Sequence, residues 1–131
     1  MPAPGSATYS AAAKVAAHTS FRDLIDSGAS AGSVKVRDAA DILLAQIPLA
    51  DPCGTVNGTT GQLTFDVTNA RDSSADANGT AAYAEFCDSD GDVHLALPAQ
   101  AGSSPVAGYF VMNTLTVVAG GPVEIVSATV G

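Results

Sequence analysis

TAAYAEFCDSDGDVHLAL, residues 80–97, reads as two short strands joined by a tight turn. Apolar runs flank D-S-D-G, and that tetrad is hairpin chemistry: aspartate tolerates left-handed dihedrals, its carboxylate bonds nearby amides, and glycine takes positive φ freely. A calcium loop is the competing reading, since Asp88, Asp90 and Asp92 match the first three ligand positions of an EF-hand. The match then fails, because Gly91 falls at the fourth position, Val93 at the sixth and Ala99 at the twelfth, and the flanks are strands. General acid and base work by the same carboxylates needs a pocket that separates their pKa values, and an exposed turn gives water to all of them. The hairpin is therefore expected to be solvated and structural.

The same two-residue period extends both ways from this hairpin. In SVKVRD, residues 33–38, Val34 and Val36 point one way and Lys35 and Arg37 the other. ILLAQIPLAD, residues 42–51, reads as a more buried strand that Pro48 places at an edge or a bulge. DPCG and NGTTG are turns around QLTFDV, where Leu63, Phe65 and Val67 share a face. TNARDSSADANG, residues 68–79, is a polar loop expected to be exposed and mobile. YFVMNTLTVVA supplies one long or two short strands, GGP turns, and VEIVSATV closes the chain. No internal repeat of useful length is visible.

One segment departs from the period. In SAAAKVAAHTSFRDLIDSG, residues 10–28, Ser10 can cap the first amides, alanine favours helix, and Gly28 offers a left-handed stop, which predicts a helix over about 10–27. Ala13, Ala17, Phe21, Leu24 and Ile25 form its apolar stripe, which should pack on a sheet. Residues 1–9, with Pro2, Pro4 and Gly5, read as a flexible arm. Residues 10–131 then form a single domain, mostly β: an antiparallel β-sandwich, jelly-roll-like, with one N-terminal α-helix.

Composition narrows the function classes. At 131 residues the chain suits one domain with its own core. Residues 1–71 carry five basic and six acidic side chains and residues 72–131 seven acidic and no basic ones, a field that repels phosphate backbones and anionic lipid. Neither nucleic acid nor membrane is expected as a partner. The stretch 95–123 has no charged side chain, but Pro98, Pro105, Gly108, Asn113, Gly120, Gly121 and Pro122 break it, so it is not read as a transmembrane helix. The first residues lack a leucine-rich block, which predicts no signal peptide and synthesis in the cytoplasm. Cys53 and Cys87 are then expected to be reduced thiols.

No catalytic, metal or cofactor residue is assigned. His18 on the helix and His94 on a strand between Val93 and Leu95 are both expected to face solvent. Cys53 lacks the local signature of a thiol nucleophile, and G-x-S-x-G, P-loop and H-E-x-x-H motifs are absent.

The order of segments resembles a group of small proteins encoded among the virion genes of tailed bacteriophages, the head decoration (cement) proteins of β-sandwich or jelly-roll type. The resemblance runs from about Thr8 to the end and rests on L-A-D-P-x-G-T-V, A-D-x-x-G-T-A-A-x-A, the D-S-D-G hairpin and the terminal S-A-T-V. It implies a non-enzymatic structural protein that binds the outside of a phage capsid and holds neighbouring major capsid subunits against the pressure of packaged DNA. Its partners would be the phage major capsid protein and itself, as a dimer or trimer, because the exposed edge strand 42–51 wants covering. Residues 1–9 and the region of Lys35 and Arg37 would touch the shell. The chain would thus be found on the virion exterior. Two other readings share the sandwich: a phage tail or tail-tip component, and a carbohydrate-binding module, for which Tyr9, Tyr83 and Tyr109 make a poor aromatic platform.

Overall fold

The structure is a computed structural model that describes residues 9–67 and 71–131. The predicted arm, except for Tyr9, and residues 68–70 of the predicted polar loop lie outside the described residues. In chain order the elements are α1 (Ala11–Ile25), β1 (Ser33–Arg37), β2 (Leu43–Pro48), β3 (Gly54–Val56), β4 (Leu63–Phe65), β5 (Arg71–Asp72), β6 (Gly79–Thr80), β7 (Tyr83–Cys87), β8 (Val93–Ala101), β9 (Phe110–Met112), β10 (Thr116–Val117) and β11 (Val123–Val130). The chain is thus mostly β with one N-terminal helix, as its two-residue periodicity dictates.

Eight strands follow the order β2-β1-β7-β8-β9-β11-β4-β3, with β5 added alongside β11, while β10 and β6 make a separate two-stranded piece. The main sheet curls into a half-barrel whose facing walls enclose the core as the layers of a sandwich do. Alternation sets the inner face: Val34 and Val36 of β1, Ala45 and Ile47 of β2, and Ala84 and Phe86 of β7 are all fully buried. Phe86 stacks on Phe65 of β4 at 4.3 Å between ring centroids and meets Phe110 of β9 edge-on at 6.2 Å. These three rings tie the two walls together across the core.

Most pairings are antiparallel, and β8–β9 is parallel, with Ala99, Gln100 and Ala101 opposite Phe110, Val111 and Met112. Strand β8 runs past the end of β7, and residues 102–109 carry the chain back so that β9 starts in the same direction. The backbone N–H of Gly102 donates to Met112 O, and that of Gly108 to Thr129 O, anchoring this return at both ends.

Strand β2 lies at an edge of the sheet, where Pro48 predicted it. That edge is covered from within the chain, so the bare strand from which self-association was expected is not bare. Residues 71–77, within the loop 68–79 that was expected to be mobile, cross from β11 to β2. Asp72 and Arg71 pair with Val123 and Glu124, Asp72 Oδ2 accepts the Gln46 N–H at 3.2 Å, and Leu44 O accepts the Asp76 N–H at 2.8 Å.

The inner face of the helix keeps Phe21 and Ile25 of the predicted stripe but is turned away from its other three residues. Ala13, Ala17 and Leu24 are exposed, whereas Val15, His18, Phe21, Arg22 and Ile25 form the buried or half-buried side. The difference comes from His18: a stripe drawn through apolar residues alone skips it, but its ring finds a carbonyl partner inside. Ser10 Oγ accepts the Ala13 N–H at 3.1 Å, as a capping residue should. The last turn ends at Ile25, two residues before the predicted limit, and the Asp26 carboxylate accepts the Cys53 N–H at 3.1 Å.

Candidate functional site

The densest polar arrangement is the hairpin at Asp88. The Asp88 N–H donates to Asp92 O and the Gly91 N–H to Asp88 O, both at 3.0 Å. Asp88 Oδ1 accepts the N–H groups of Asp90 at 2.9 Å and Asp92 at 3.0 Å, and Gly91 supplies φ +90°. The loop is a type I turn followed by a left-handed residue, and the strand pair shifts register between Phe86 and Cys87. The predicted hairpin is present, but Asp88 is buried rather than solvated, because its side chain organises the turn from inside.

His94 completes this cluster and corrects the expectation that it faces solvent. The bulge turns its ring back, and Nε2 lies 2.9 Å from Asp88 Oδ2 with the His94 side chain 20% exposed. Its neighbour Val93 is exposed. The hydrogen bond from His94 holds the Asp88 carboxyl below the usual carboxylate range, opposed by partial burial and helped by the two turn amides. An aspartate that orients a histidine is half of a nucleophile-activating set. Among the described residues no hydroxyl or thiol bonds the His94 ring, and no group of three His, Cys, Asp or Glu stands close enough to hold a metal ion.

Fifty positions upstream the chain builds the same turn again. The Asp38 N–H donates to Ile42 O and the Asp41 N–H to Asp38 O, both at 3.1 Å, and Asp38 Oδ1 accepts the N–H groups of Ala40 and Ile42 at 2.9 Å. Asp41 takes the left-handed place of Gly91 with φ +65°, and the register shifts between Val36 and Arg37. Strands β1 and β2 therefore correspond to β7 and β8, and β1 and β7 lie side by side antiparallel. The sheet holds an internal repeat that the sequence did not display. Asp38/Asp88, Ile47/Leu97 and Pro48/Pro98 are its legible remains, and Leu44 stands where the second copy has His94.

The outer face of this four-stranded unit carries the mixed charges predicted for it. Register sets Gln46, Lys35, Glu85 and Ala96 in one row. Arg37 Nε bonds Glu85 Oε1, and Arg37 Nη1 donates to Asp41 O at 3.1 Å. Tyr83 donates its hydroxyl to Asp41 Oδ1 at 2.6 Å, a bond that pushes its pKa up to about 12. Lys35 has no ion pair among the described residues. It borders an open hollow of about 410 Å³ with Ser33, Gln46, Pro48 and the 88–91 turn.

The remaining candidates serve the fold. His18, expected at the surface, is buried on the inner side of α1, its Nδ1 hydrogen-bonded to Gly61 O and its ring 6.1 Å from Phe21. Gly61 has φ +78°, and a Cβ there would overlap Lys14 of the helix, so only glycine lets this turn seat α1. Cys53 and Cys87 are free and buried. Burial first and Asp26 second push the Cys53 thiol up to about 12, and burial likewise raises that of Cys87. No described helix is long and apolar enough to cross a membrane. Comparison with protein-family models, with curated proteins and with solved structures gave no match.

Proposed function

We propose that this chain is a non-enzymatic virion structural protein that binds the outer surface of a phage capsid and bridges neighbouring major capsid subunits. The observation that carries the reading is the chain-long pattern of L-A-D-P-x-G-T-V, A-D-x-x-G-T-A-A-x-A, D-S-D-G and S-A-T-V in their order. The geometry supports it in a specific way. Residues that would otherwise advertise chemistry are committed to the fold: Asp88 to turn amides, His94 to Asp88, His18 to the helix seat, and Cys53 and Cys87 to the interior. A protein acting through contact area benefits from a covered sheet edge, and the 71–77 crossing covers that of β2.

The shell contact in this reading lies on the outer face of β2-β1-β7-β8. Lys35 is its uncommitted cation, whereas Arg37 is tied to Glu85. Quantitative mass spectrometry of purified virions from the phage or prophage that encodes the chain tests the proposal. A shell protein follows the repeated symmetry of the shell and is expected on the order of hundreds of copies per particle. A copy number of a few dozen or fewer would transfer it to the tail, and absence from the particle would reject a virion role. Lys35→Glu should lower occupancy on undecorated capsids without lowering the melting temperature. Turnover of a small molecule, abolished by one side-chain truncation, would overturn the non-enzymatic assignment.

A further inference from the structure

The described chain holds two Asn-Gly pairs in unlike settings. Gly79 of β6 pairs with Val117 and lies against Leu44, while Asn78 Oδ1 accepts the Ala119 N–H at 2.7 Å. Asn57 and Gly58, in the turn between β3 and β4, are both exposed. The Gly58 N–H has no hydrogen bond among the described residues, and nothing lies within 4 Å of the position a Cβ would take there. Asn57 Oδ1 accepts two backbone N–H groups, from Thr59 at 2.8 Å and Thr60 at 3.0 Å.

We propose that Asn57 is a site of spontaneous deamidation, driven by attack of the Gly58 nitrogen on its side-chain carbonyl, and that Asn78 is protected. The Gly58 nitrogen gives up its proton and bonds to Asn57 Cγ. The Cγ–Nδ2 bond breaks, and the nitrogen leaves as ammonia, which closes a succinimide. Water then opens the ring at either carbonyl to give aspartate or isoaspartate, with no oxidation or reduction. The amides of Thr59 and Thr60 already point at the oxygen on which negative charge develops during the attack, the arrangement that stabilises a tetrahedral intermediate. At Asn78 the nucleophilic nitrogen belongs to a paired strand residue packed on Leu44, so approach to the side chain requires unpairing β6.

The product matters for the helix. Isoaspartate routes the main chain through the former side chain and lengthens the 57–61 turn by one carbon. That turn is closed by Asn57 N–H to Gln62 O and Gly61 N–H to Asn57 O, both 2.8 Å, and it presents Gly61 to His18. Conversion at Asn57 therefore loosens the seat of α1, whatever the protein binds.

The test is peptide mapping of the full chain aged at physiological temperature and mildly alkaline pH. A free Val-Asn-Gly-Thr-Thr peptide serves as the clock. The expected result is conversion of Asn57 to aspartate and isoaspartate with Asn78 intact. The isoaspartate fraction should melt lower than freshly made Asn57→Asp. Gly58→Ala, which has room for its methyl, should melt like the parent and lose the conversion. Intact Asn57 after the clock peptide has converted, or equal conversion at Asn78, would overturn the inference.

Discussion

Replacing Phe86 with alanine tests the claim that three phenylalanines tie the walls of the half-barrel together. Phe86 is fully buried, stacked at 4.3 Å on Phe65 and edge-on to Phe110 at 6.2 Å, and it sits in β7 between β1 and β8. Truncation leaves a cavity on the order of 100 Å³, which at about 24 cal/mol per Å³ contributes roughly 2.4 kcal/mol. Lost transfer energy of the ring adds about 1.5–3 kcal/mol, giving a destabilisation of about 4–5 kcal/mol, at the upper end of the usual Phe→Ala range. With an unfolding entropy of about 2.1 cal/mol/K per residue over 131 residues, the expected fall in Tm is about 15–18 °C. Urea and thermal unfolding of Phe86→Ala, Phe86→Leu and Leu24→Ala measure it. The leucine variant should lose about 1 kcal/mol, and Leu24→Ala, on the exposed side of α1, within about 0.5 kcal/mol. A fall of less than about 4 °C for Phe86→Ala, with cooperativity unchanged, would refute the reasoning, because the ring would then be replaceable by its neighbours.

Four further outcomes follow from individual contacts. The Asp88 carboxyl, lowered chiefly by His94, contributes stability that is present above its unfolded pKa of about 3.9 and is lost as pH falls through the lower folded value. Asp88→Asn should therefore flatten the acid limb of the urea midpoint against pH; an unchanged limb would remove the Asp88–His94 pair from the account. Both thiols should resist alkylation in the native protein at neutral pH and react fully in urea, so rapid native labelling of Cys53 would contradict its buried, raised thiol. Gly32→Ala should lose about 1–3 kcal/mol by calorimetry, since the methyl would overlap Cys87 O and lie 2.8 Å from Ile25 Cγ2, and a neutral result would show that this junction yields. Ser127 Oγ is buried without a hydrogen-bond partner among the described residues, so Ser127→Ala should be neutral or stabilising by up to about 1 kcal/mol; clear destabilisation would mean the hydroxyl has a partner.

The strands were legible wherever one face is buried and the other wet. Val34, Val36, Leu63 and Phe65 alternate in the sequence because the sheet forces them to, and Asp88 with Gly91 announces its turn through backbone chemistry alone. The helix face was legible only at Phe21 and Ile25, since alanine is indifferent to burial and the residue that fixes the face, His18, is polar. The twin hairpins were hidden for a related reason. A turn of this type demands only an acceptor at its first position and a residue tolerant of positive φ at its fourth, so Asp38 and Asp41 can serve as well as Asp88 and Gly91 while everything between them drifts. His94 was misplaced because the bulge that carries it breaks the two-residue count, which no local pattern signals. The bulge recurs in the first hairpin, where Leu44 takes the same place and its side chain lies against Gly79 rather than on the turn aspartate. One backbone device thus gives two different outcomes: an apolar side chain at that place helps seal the edge of β2, and a histidine pins the turn at Asp88. His94→Leu gives the second hairpin the residue that the first one carries at this place, and it should keep the fold while removing the chief influence that lowers the Asp88 pKa. If an NMR titration finds the Asp88 carboxyl equally depressed in that variant, the turn amides rather than His94 govern it.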